Sequence, residues 1–167
     1  MAGWWNTVAR TVAEEFSGIS DLEHLTRAAV RLLVAAVLGG LVGLQRERHG
    51  KSAGLRTHML LAMGTALFVV GILEAGAGDD AVSRVIQGIA SGVGLLCAGS
   101  ILKSESGDDA HVRGLTTAAG MWMTAAIGVV AGLGREATAV FTTLLALGVL
   151  SLEGPILRLK EKREPPR

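Results

Sequence analysis

Two apolar runs meet at a short polar loop in this 167-residue chain, and the loop with its flanks carries Arg46, Arg48, Lys51 and Arg56, four of the sixteen basic residues. Arginines beside a helix start suit an anionic group, because the first backbone N–H groups of a helix have no intrahelical acceptor. A lipid phosphate or a partner carboxylate has the required chemistry. Arg46 closes the first run, Arg56 and Thr57 open the second, and Arg113 precedes Thr116 and Thr117 at the start of the fourth. With Glu47 and His58 beside them, these residues form a candidate ligand or partner site where the three arginines converge. The competing reading is anchoring, since cytoplasmic loops collect Lys and Arg, together with a local pair between an arginine and Glu47.

A second set lies inside the apolar runs. Arg84, Gln87 and Ser91 share a helix face in the third, and Arg113, Thr117, Gly120, Thr124 and Gly128 share one in the fourth. Such stripes could line a solute path, because intramembrane polar groups are costly unless paired or hydrated. They serve packing equally well when Ser and Thr bond helix carbonyls. Arg31, Glu74, Arg84, Gln87, Ser91 and Trp122 make a candidate intramembrane polar cluster. In it Arg31 and Arg84 lie about one turn inside the outer boundary, able to snorkel outward or to pair with Glu74. The aspartate pairs Asp79-Asp80 and Asp108-Asp109 could contribute to a magnesium site or be solvated turn residues. His49, His58 and His111 are too scattered for zinc. Nothing resembles a phosphate-binding loop, a nucleophile elbow or a His-containing catalytic motif, so neither an enzyme nor a cofactor is expected.

The elements that must position these residues are helices. Hydrophobic residues make up 50% of the chain, charged residues only 19%, and Gly occurs 23 times. Five apolar segments, at 25–45, 55–76, 82–102, 113–133 and 137–157, each approach the ~20 residues that span a bilayer. They show no two-residue alternation and are rich in Ala, Leu and Gly, which argues against strands. The expected fold is all-α, a polytopic membrane helix bundle of five transmembrane helices preceded by an amphipathic surface helix. That surface helix covers residues 4–16, with Trp4 and Trp5 as anchors and Val8, Val12 and Phe16 at helical spacing; a loosely ordered tail is the alternative. Ser20 and Glu23 have capping-box spacing for the next helix. Residues 1–24 form the N-terminal segment, 25–158 the membrane domain and 159–167 a basic tail. The acidic first segment does not read as a cleavable signal, and a lone Cys97 implies no oxidising compartment.

Odd crossings place eleven basic residues on the side of the 46–54 loop and five on the other, out of sixteen. The loop side and the C-terminus are therefore expected to be cytoplasmic, with the N-terminus outside. Gly39 with Gly43, Gly88 with Gly92, and Gly128 with Gly132 have the four-residue spacing of close helix packing. They could join helices within a protomer or two protomers in a homodimer.

Four ordered stretches carry a family resemblance. Gly43-Leu44-Gln45-Arg46-Glu47 and Ala53-Gly54-Leu55-Arg56-Thr57-His58 resemble the opening motifs of the MgtC/SapB membrane-protein family. Arg84 with Ser91 to Ile101 resembles its third-helix motif, and Val112 to Ala119 with Trp122 and Ala126-Ile127-Gly128 its fourth. The chain departs from the pattern at Cys97, where Gly is usual, at Leu95, where Phe is usual, and at Gln87, displaced by one residue. The cytoplasmic C-terminal regulatory domain of longer members has no counterpart in this sequence. The resemblance implies an inner-membrane protein linked to magnesium limitation and, in pathogens, to survival inside macrophages. It also implies a regulator that binds another membrane protein, such as the ATP synthase, rather than an established transporter. Two readings follow: a non-enzymatic, dimeric membrane regulator, or a small cation or solute transporter using the polar faces of spans three and four. The lipid bilayer is the expected environment, and no nucleic acid partner is expected.

Overall fold

The computed structural model describes residues 3–15, 22–102 and 114–152. Their secondary structure is helical throughout: α1 Gly3–Glu15, α2 Leu22–Arg48, α3 Leu55–Glu74, α4 Asp79–Leu102, α5 Leu115–Gly132 and α6 Glu136–Ser151. Contacts divide the chain into two units, Met1–Val30 and Arg31–Arg167. In the first, α1 exposes every residue and stacks the Trp4 and Trp5 rings at a centroid distance of 4.0 Å. Arg10 pairs with Glu14 at 3.6 Å, and Glu23 with Arg27 in the first turns of α2. Phe16 and Ser20, which the sequence assigns to the surface helix and to a cap, lie outside the described residues.

The second unit differs from a water-soluble domain mainly on its outside. Its interior mixes small, aliphatic and polar residues: Ala35, Ala62, Ala66, Ala131 and Ala139 are buried with Val42, Val69 and Ile127, together with Arg46, His58 and four threonines. Its exterior is large and apolar, with Leu33, Leu60, Phe68, Leu95, Phe141, Leu144 and Val149 all exposed. Lipid tails are as apolar as Leu, so only close approach of backbones and satisfied polar groups distinguish inside from outside in a membrane. The molecule is a helical membrane bundle.

Among the described residues four helices, α2 to α5, are long and apolar enough to cross a bilayer. The fifth expected span differs. α6 runs 16 residues, about 24 Å at 1.5 Å per residue, which falls short of a ~30 Å hydrocarbon core. The remainder of that segment, 153–157, lies outside the described residues.

α5 is the central helix, packing on α3, α4 and α6. Glycines set its distance from α3. A Cβ at Gly132 would stand 2.8 Å from the Ala66 carbonyl oxygen, and one at Gly128 would overlap Thr65 Oγ1 and the Ala62 carbonyl. The same device joins α2 to α3, where a Cβ at Gly39 would lie 2.6 Å from the His58 carbonyl oxygen and one at Gly43 2.8 Å from Leu55 Cα. These four glycines therefore pack helices within the protomer and are not free to form a dimer face. Gly88 and Gly92 behave differently: added Cβ atoms there would meet nothing within 4 Å.

Candidate functional site

The last turn of α2 and the first turn of α3 are locked by their own polar groups. Gly50, at φ +65°, closes α2: its N–H donates to the Glu47 carbonyl at 3.0 Å and the Lys51 N–H to the Arg46 carbonyl at 3.1 Å. This pair of bonds is a Schellman ending, which needs a residue that tolerates positive φ. The chain then returns so that Glu47 Oε2 accepts the Leu55 N–H at 2.8 Å. Gly54 precedes α3 and offers no side-chain cap. Glu47 thus places a carboxylate at the positive end of α3. The approach requires Gly54, since a Cβ there would lie 2.6 Å from Glu47 Oε2. The sequence reading pairs Glu47 with an arginine; its observed hydrogen-bond partner is the backbone of the next helix.

Arg46 and His58 are both fully buried beside this joint. His58 Nδ1 lies 3.0 Å from the Gly54 carbonyl oxygen. A carbonyl only accepts, so Nδ1 carries a proton. Nε2 points toward α5, 3.9 Å from where a Cβ of Gly120 would stand. It is buried without a hydrogen-bond partner among the described residues, as are both amide atoms of Gln45. Thr117 is buried on α5, whereas Arg56, Thr57 and Thr116 are exposed. The three arginines are therefore not equivalent: Arg46 is inside the protein, Arg56 is on its surface, and Arg113 lies outside the described residues.

The second predicted set is dispersed. Arg31 neither snorkels nor pairs with Glu74; its Nη1 donates to the Gly132 carbonyl at 3.2 Å. Its guanidinium occupies the space beside Gly134, where a Cβ would stand 2.6 Å from Nη2. A cation is thus placed at the negative end of α5. Glu74, Arg84, Gln87 and Ser91 are exposed. Ser91 donates to the Gln87 carbonyl at 3.0 Å, and Gln87 Nε2 to Ser83 at 3.3 Å, both along α4 itself. Trp122 is about half exposed and lines an apolar cleft of about 200 Å³ with Ile86, Ala90 and Val130. In the expected α5 stripe, Thr124 is buried and bonds the Gly120 carbonyl of its own helix at 2.9 Å. That stripe is a packing seam.

Two interhelical contacts have no counterpart in the sequence reading. Thr65 Oγ1 lies 3.1 Å from the Ala125 carbonyl oxygen, bridging α3 to α5. The Cys97 thiol lies 3.2 Å from the Ala118 carbonyl, bridging α4 to α5. Thr65 stands seven residues after His58 on one helix face, with Ala62 between them, and that spacing is the signal that could have found it. Acidic side chains of the described bundle sit at helix ends: Glu47, Glu74, Asp79, Asp80 and Glu136. Among the described residues no group of three or more His, Cys, Asp or Glu is arranged to hold a metal ion. Asp108 and Asp109 lie outside them.

Comparison with known proteins places this arrangement among relatives. A family model described as MgtC family matches residues 32–159. SrpB of Synechococcus elongatus is 45% identical over 131 residues, covering 72% of this chain and 71% of SrpB. YhiD of Escherichia coli K12, named as a candidate magnesium transporter, is 40% identical over 74% of this chain and 59% of its own length. MgtC of Brucella abortus is 40% identical over 82% of this chain and 56% of its own length. The chain thus spans less than two thirds of the last two. No solved structure gives a significant match.

Proposed function

The chain belongs to the MgtC family, and from that premise we propose that it is a non-enzymatic regulator of the bacterial inner membrane. In this reading it is linked to magnesium limitation and acts by binding another membrane protein, for which the ATP synthase is a candidate. The carrying observation is where the charges sit. Arg46 is sealed inside, Glu47 caps α3, Arg31 caps α5, and the acids of the described bundle stand at helix ends. A divalent cation crossing a membrane needs carboxylates, carbonyls or water along its path. The described interior is mostly Ala, Gly and aliphatic side chains, with Arg46 and His58 buried beside the α2–α3 joint and the Thr124 and Thr143 hydroxyls bonded to carbonyls of their own helices. Binding surface remains at the basic helix ends and on the apolar exterior. The eleven-to-five distribution of basic residues supports a cytoplasmic position for the 46–54 loop and an external N-terminus.

Purified protein in liposomes loaded with a magnesium indicator tests the reading against transport, the function named for one relative. The expected result is no protein-dependent magnesium flux, together with restored growth in low magnesium of a strain lacking the gene. Cross-linking in native membranes should capture one membrane partner. Saturable flux would overturn the regulator reading in favour of a transporter.

A further inference from the structure

A large opening in the described bundle lies at neither of the sites above. α3 and α4 diverge to leave an apolar groove of about 910 Å³, walled by Leu60, Phe68, Ile89, Leu96 and Met121, with Gly88 and Gly92 leaving its α4 side open. A volume of that size is at the upper end of the range for ligand sites. We propose that this groove holds the acyl chain of an anionic phospholipid whose phosphate is engaged by Arg56.

Length, charge and position each favour that occupant. The groove runs along α3 from Thr57 to Phe68, about 16 Å at 1.5 Å per residue, which is half of a ~30 Å hydrocarbon core. One leaflet's acyl chain has that reach. A transmembrane helix, from a partner or from a second copy, would need a complementary face running the full depth. Thr57 lines the groove at its end nearest the basic loop, and Arg56 precedes it, exposed and with no hydrogen bond or ion pair among the described residues. The headgroup level is positive: with Arg46 buried in the bundle, Arg48, Lys51 and Arg56 against Glu47 give a net +2. Glu47 itself is turned onto the Leu55 N–H. A headgroup with net negative charge is therefore preferred over a zwitterion. The proposal concerns a lipid site and stands apart from the regulator reading.

The test is native mass spectrometry of the full chain released from nanodiscs of equimolar phosphatidylglycerol and phosphatidylcholine. Wild type should retain one phosphatidylglycerol in clear excess over phosphatidylcholine. Arg56→Glu should lower phosphatidylglycerol retention about tenfold, whereas Arg48→Glu, in the same loop but away from the groove, should change it little. Gly92→Leu fills the groove from open space and should remove retained lipid of both kinds; Gly148→Leu, also facing open space on α6, should not. Size-exclusion profiles report folding, and if Gly92→Leu fails to fold the pair Arg56→Glu and Arg48→Glu still decides. Equal retention of both lipids by wild type, or equal losses in the two arginine variants, would overturn the proposal. So would an efficient disulfide dimer of Gly92→Cys in a Cys97→Ser background, which would show that a second copy fills the groove.

Discussion

Replacing Gly128 by Ala adds one methyl group at the tightest seam of the bundle. The new Cβ would overlap both Thr65 Oγ1 and the Ala62 carbonyl oxygen. The hydroxyl can rotate away, but the carbonyl belongs to the α3 backbone, so α3 and α5 must separate. Overpacking of this kind costs about 1–3 kcal/mol. Separation also breaks the 3.1 Å contact from Thr65 Oγ1 to the Ala125 carbonyl, and an interhelical hydrogen bond in a membrane protein contributes roughly 0.6 to 1.7 kcal/mol. The expected loss is about 2–4 kcal/mol, read as a shift in unfolding on titration with denaturing detergent in mixed micelles. Gly92→Ala is the matched control, since its Cβ meets nothing within 4 Å; it should lie within about 0.5 kcal/mol of wild type or be slightly stabilised by helix propensity. In a Thr65→Ala background the cost of Gly128→Ala should shrink without vanishing, because only one of the two obstacles is gone. Equal stabilities for Gly128→Ala and Gly92→Ala would refute the packing argument.

The remaining predictions concern the helix ends and the buried cation. Glu47→Gln and Gly54→Ala should each destabilise by about 1 kcal/mol, and the double variant by little more than either, because both act on one cap; full additivity in the same titration would refute the shared cap. Arg31→Leu should cost about 1–2 kcal/mol through loss of its charged hydrogen bond to the Gly132 carbonyl and should raise amide exchange at the α5 C-terminus. Arg46→Ala should sharply reduce membrane abundance, whereas Arg56→Ala should leave it near wild type, because only the first side chain is buried. Quantitative immunoblotting of membrane fractions decides, and equal abundance would contradict the assigned burial.

Helix positions were largely legible, and for a simple reason. Apolar length is a one-dimensional property, so α3 was expected over 55–76 and is found at Leu55–Glu74. The role of a glycine is not one-dimensional. Gly88 with Gly92 and Gly128 with Gly132 have identical spacing, yet one pair faces an open groove and the other touches the α3 backbone. Nothing in either helix alone says which face its neighbour occupies. Capping across helices is hidden for the same reason. Glu47 reaches a backbone N–H eight residues later, and Arg31 a carbonyl 101 residues later; no local pattern encodes such pairings.

The different fates of the arginines, by contrast, were written in helix register. Ala35, Gly39 and Val42 are buried at successive intervals of four and three residues, and Arg46 stands four further on. It therefore continues the buried face of α2 even though composition assigns it to a polar loop. On α3 the buried stripe is His58, Ala62, Thr65 and Val69, again at intervals of four, three and four. Arg56 lies two residues before the start of that stripe, a rotation of about 200° on a helix of 3.6 residues per turn, so it points away from the core. Composition treated the two side chains as equal contributors to one anion site. Periodicity separates them: the arginine in register serves the interior, and the one out of register is available to whatever lies at the surface of the bundle.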